Sequence, residues 1–78
     1  MRNKYNYVVM SHYGRDCKKY YFVRFKNAVS CFETFVFNSQ IVGWREVRKS
    51  VFERRFEMQG GSVHTICLRS LVARPWLR

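Results

Sequence analysis

The sequence predicts a small α+β domain, an antiparallel sheet of an N-terminal hairpin plus later strands with one α-helix packed across one face. Three observations predict it. The stretch from Tyr5 to Lys26 holds all five tyrosines and several β-branched residues, divided by Gly14-Arg15-Asp16 as two strands are divided by a tight turn. Gly60-Gly61 followed by Ser62-Val63-His64-Thr65-Ile66-Cys67-Leu68 is a second turn-then-strand signal. Between them, Ala28, Cys31, Phe32, Phe35 and Val36 fall on one side of a helix.

The 78 residues form one domain, with 1–4 and 72–78 as possible flexible arms. A chain this short has a thin core. Hydrophobic residues at 47% are nevertheless too many for a disordered chain, whose low apolar content cannot offset the entropy of ordering.

Taken in order, the hairpin comes first. With Gly14-Arg15 at the centre of a two-residue turn, Tyr13 faces Asp16, Val9 faces Tyr20, Tyr7 faces Phe22 and Tyr5 faces Arg24. One face then collects Tyr5, Tyr7, Val9, Ser11, Tyr13, Lys18, Tyr20, Phe22 and Arg24. The other collects Asn6, Val8, Met10, His12, Cys17, Lys19, Tyr21, Val23 and Phe25. The second set is more aliphatic and is expected to face the core.

Residues 27–40 carry strand-like amounts of β-branched and aromatic residues. The three- and four-residue spacing of Phe32, Phe35 and Val36 favours a helix with Asn27 as N-cap. Residues 43–58 fork. As a helix they align Trp44, Val47, Val51 and Met58, with Lys49 and Glu53 paired on the wet side. As strands they divide into WREV and FERRFEM. The element order is therefore β-β-β-α-β or β-β-α-β-β-β. The tail holds the only proline, Pro75, and is expected to leave the fold as an arm.

The net charge of +10 is the strongest global fact, from fifteen Lys and Arg against five Asp and Glu. Residues 1–26 hold seven basic residues and one acid, a net of +6, whereas 44–58 hold five and three. Such a surface attracts polyanions. The three cysteines, Cys17, Cys31 and Cys67, are odd in number and unpaired in spacing, and residues 1–9 lack the apolar core of a signal peptide. Reduced thiols in a cytoplasmic protein are expected, serving as small core residues. No apolar run approaches a membrane span, so no membrane partner is expected.

Catalytic chemistry finds no support. Three of the five carboxylates share one polar stretch, no GxxxxGK[ST] phosphate loop occurs, and neither His12 nor His64 has a nucleophile marked beside it. The cysteines lack CxxC spacing, so no metal and no cofactor are expected. There is likewise no RNP1-like run, no GxxG clamp and no zinc-finger spacing. A small sheet with one helix is similar in outline to the arm-binding domains of phage-type integrases and to double-stranded RNA-binding domains. None of their diagnostic residues is matched, and no family is assigned.

The functional expectation is a non-enzymatic nucleic-acid-binding module of low sequence specificity, in composition like an accessory protein of a phage or mobile element. Tyrosine rings stack on bases while Lys and Arg neutralise phosphates. The candidate contacts are Tyr5, Tyr7, Arg15, Lys18, Tyr20, Phe22, Arg24 and Lys26 on the hairpin, with Arg45 and Lys49 beyond it. The alternative is an adaptor or inhibitor docking on an acidic protein, anchored by Trp76 and Leu77. A homodimer closed by an exposed sheet edge is a third possibility. Cross-strand Tyr–Phe pairs also stabilise a hairpin without any ligand.

Overall fold

The computed structural model describes residues 4–58 and 60–71. Five strands and one helix follow the order β1 (Tyr7–Tyr13), β2 (Asp16–Phe22), α1 (Phe25–Ile41), β3 (Arg45–Lys49), β4 (Glu53–Glu57) and β5 (Val63–Ser70). They build one antiparallel sheet of spatial order β2-β1-β5-β4-β3, with α1 across one face. Of the two layouts the sequence allows, this is β-β-α-β-β-β.

The hairpin has the expected register, with Tyr7 opposite Phe22, Val9 opposite Tyr20 and Tyr13 opposite Asp16. Gly14 sits at φ 59, a left-handed value that a side chain would strain. Pairing stops at Tyr7, however. Tyr5 does not face Arg24 across a ladder, and its ring lies 5.6 Å from that of Tyr21.

The last strand closes the sheet by inserting between the two hairpins. β5 pairs with β1, Val9 opposite Leu68 and Ser11 opposite Ile66, and with β4, Arg54 opposite Ile66 and Phe56 opposite His64. Segment 44–58 is thus two strands. Its Lys49–Glu53 helical pair does not form, and Glu53 instead meets Arg48 at 4.0 Å. The turn between β3 and β4 is tied by the Ser50 amide and hydroxyl, which both donate to the Glu53 carbonyl.

The helix starts three residues earlier than an Asn27 cap implies. Its N-cap is Arg24, with no side-chain capping bond, no acid in the first turn and no base in the last. Such a helix depends on packing more than on its ends. It stops where the Val42 and Gly43 amides fold back to the carbonyls of Asn38 and Gln40, with Gly43 at φ 87. Ala28, Phe32, Val36 and Ser39 are buried on its inner side. They close over Val9, Phe56, Ile66 and Leu68, with Tyr7, Phe22, Phe35 and Trp44 at the margin.

This packing reverses the expected core face. The ring-bearing face of the hairpin, with Tyr7, Val9, Tyr20 and Phe22, lies under the helix. The physical reason is area. Phe22 and Tyr7 remove more apolar surface from water than His12 or Cys17 could on the other face. The cysteines divide accordingly: Cys67 is buried, Cys31 half-buried and Cys17 exposed, so only the first behaves as the expected core residue.

Candidate nucleic-acid interface

The register places the charged side chains of the sheet. Facing away from α1, successive cross-strand rows read Tyr21–Val8–Arg69, then Lys19–Met10–Cys67–Glu53, then Cys17–His12–Thr65–Arg55–Arg48. Val63, Glu57 and Arg45 form the row nearest the Gly14-Arg15 turn. This face therefore carries Lys19, Arg45, Arg48, Arg55 and Arg69 against Glu53 and Glu57. No described helix or strand packs over it, although Val8 and Cys67 within it are each only 5% exposed.

Ion pairing concentrates what charge remains. Arg45 meets Glu57 at 3.5 Å and Arg48 meets Glu53, both on the β3–β4 ribbon. The third pair, Arg54 with Glu46, lies on the helix side of the same ribbon and is the most enclosed of the three. It is bidentate, with Arg54 Nη2 donating to Glu46 Oε1 at 2.9 Å and Nε donating to Oε2. The hydrogen bond from Arg54 holds the Glu46 carboxyl below the usual carboxylate range, and the same bond raises Arg54. Three of the five acids in the chain are thus spent on one ribbon. Arg15, Lys18, Lys19, Arg24, Lys26, Arg55 and Arg69 meet no carboxylate among the described residues.

The sequence-derived candidates scatter over this geometry. Tyr7 and Phe22 are packed at the core margin, Tyr7 with its ring 5.3 Å from Phe25. Tyr20 lies on the helix side with its ring 5.3 Å from Phe35. Lys18 shares that side, at the exposed edge. Arg15 is exposed at the hairpin tip, and Arg24 and Lys26 are exposed where β2 turns into α1. Arg45 and Lys49 stand on β3, the opposite edge of the sheet from β2, and not on a helix beside the hairpin. Trp76 and Leu77 lie outside the described residues.

The cationic and ring side chains the structure places on the uncovered face are instead Lys19 and Tyr21 on β2, Arg69 on β5 and Arg55 on β4, with Arg15 at the hairpin tip, the far end of the hairpin from Tyr21 and Arg69. Tyr21 is 46% exposed on the uncovered face, and Tyr5 backs it. The alternation that placed Tyr7 and Tyr20 on one face placed Lys19 and Tyr21 on the other, so the signal for half of this set was present. Arg55 and Arg69 carried none, since their position depends on β5 lying between β1 and β4.

The two histidines differ. His64 lies on the helix side, where Nε2 is 2.8 Å from Ser11 Oγ and Nδ1 3.4 Å from Ser39 Oγ, with the rings of Tyr13 and Trp44 against it. Burial pushes its pKa below the ordinary histidine value. His12 is exposed, 3.5 Å from the Cys17 sulfur. No group of three or more His, Cys, Asp and Glu side chains converges to hold a metal among the described residues. Among them, too, no helix is long and apolar enough to cross a membrane. No protein-family model, curated protein or solved structure matches this chain.

Proposed function

We propose that the protein is a nucleic-acid-binding module that uses the sheet face opposite the helix. Lys19, Arg55 and Arg69 neutralise phosphates, Arg15 at the hairpin tip extends the track, and Tyr21 offers one base a stacking surface. The observation that carries this reading is the separation of charge. Three of the five acids pair off on the β3–β4 ribbon, while Arg55 and the cations of the hairpin and β5 keep their charge for an outside partner. Binding of this kind gains from counterion release and reads little sequence. The roles first given to Tyr7, Tyr20 and Phe22 pass to Tyr21, because those three rings are engaged with the helix side.

The test is purification from cells with and without nuclease, followed by absorbance at 260 and 280 nm and electrophoretic shift at low salt. Co-purifying material that absorbs at 260 nm and disappears after nuclease supports the reading. Absence of any complex with DNA or RNA at low salt ends it. Recovery of one acidic protein, resistant to nuclease, favours docking on a protein partner instead.

A further inference from the structure

The helix is apolar on two sides. Its inner stripe fills the core, yet Phe37 and Ile41, one turn apart on the outer side, are 60% and 64% exposed, and Val42 just beyond is 64% exposed. A surface helix ordinarily turns a polar face to water, as this one does at Ser30, Glu33, Thr34 and Asn38, and Phe37 and Ile41 break that face. We infer that this outer patch is where a second copy of the chain docks, helix against helix.

Charge selects the occupant. A molecule with a net charge of +10 repels its own copies through almost any surface it presents. Both sheet edges are basic: β2 carries Lys18 and Lys19, and β3 carries Arg45, Arg48 and Lys49. Pairing two copies through either edge sets like charges face to face, which disfavours the edge-closed dimer that the sequence allows. The uncovered sheet face is cationic as well. Residues 25–41 hold one Lys and one Glu, a net of zero, with Lys26 at the far end from Phe37. Unlike the two sheet edges and the uncovered sheet face, this helix lets two copies approach without that repulsion. The patch is also self-complementary. A two-fold axis midway between Phe37 and Ile41 sets each Phe37 against the partner's Ile41, as an isologous contact requires. Such a dimer leaves both cationic sheet faces pointing outward, but it does not depend on their binding nucleic acid.

The experiment is sedimentation velocity on nuclease-treated protein at high salt, over about a hundredfold range of concentration bracketing micromolar association. The 9.5 kDa chain is expected to shift towards twice its mass as concentration rises. Phe37→Glu and, separately, Ile41→Glu are expected to remain monomeric with an unchanged circular dichroism spectrum. Both positions are exposed, so if one variant fails to fold the other still reports. A wild-type protein that stays monomeric throughout overturns the inference, and so does a dimer that survives both substitutions. A chain ending at Leu71 should dimerise normally. If that truncation abolishes the dimer while Phe37→Glu does not, the C-terminal segment is the interface and the helix patch is not.

Discussion

Removing two charges from the uncovered sheet face should change how binding responds to salt, by an amount that follows from the contact count. Lys19, Arg55, Arg69 and Arg15 supply four candidate phosphate contacts. For a single strand, four contacts imply a slope of log affinity on log salt of about −2.8, so raising salt fourfold weakens binding about 50-fold. Lys19→Gln with Arg69→Gln leaves two contacts, a slope of about −1.4 and a fourfold-salt effect of about 7-fold. Extrapolated to a common affinity near 1 M salt, the double variant binds about 70-fold more weakly at 50 mM. Fluorescence anisotropy with a labelled oligonucleotide, at several salt concentrations, measures all three quantities. Lys49→Gln, on the helix side of the far edge strand, should leave the slope unchanged. An unchanged slope in the double variant would refute the assignment of this face, even if overall affinity fell. A loss of slope in Lys49→Gln of the same size would do so too.

Three further outcomes concern the fold. Phe56 is fully buried beneath the helix, so Phe56→Ala should destabilise by about 3–5 kcal/mol, enough to unfold most of a domain this small, as chemical denaturation would show. Glu46→Gln, which keeps the shape of the Arg54 contact but removes its charge, should cost about 1–2 kcal/mol, because it leaves a largely enclosed guanidinium without its carboxylate. Stability should also fall as pH drops below about 6.5, the ordinary value at which an unfolded chain protonates histidine. The folded pKa of His64 is lowered, so the unfolded state takes up the proton first. Above that pH both states are neutral and the effect vanishes. Melting temperatures at pH 7.5 and 5 should therefore differ more for the wild type than for His64→Gln, and equal differences would contradict the burial argument.

What could be read from the chain divides along one physical line. Local geometry was legible: Gly14 alone accepts the left-handed turn residue, and that fixes every pair from Tyr7–Phe22 to Tyr13–Asp16. The helix was legible through Phe32, Phe35 and Val36, although Phe37 and Ile41 blurred its periodicity by adding apolar side chains to the outer face. Choices between two faces or two partners were not local. Which side of the hairpin the helix would cover depended on how much ring area α1 could bury there, and aliphatic character pointed the wrong way. Segment 44–58 had helical charge spacing. Its strands are held by Arg54–Glu46 within their own hairpin and by Phe56–His64, whose proximity only the arrival of β5 creates. The position of β5 between β1 and β4 brings Arg69 and Arg55 onto the same face as Lys19, a juxtaposition across about fifty residues that no short-range pattern encodes.

The most direct measurement is a methyl- and amide-resolved nuclear magnetic resonance titration with a short single-stranded oligonucleotide. Shifts should gather on Val8, Met10 and Val63 and on the amides around Lys19, Tyr21 and Arg69, while the Val36, Ile41 and Val42 methyl groups stay in place. Shifts gathered on the helix methyl groups, with the sheet face silent, would contradict the account.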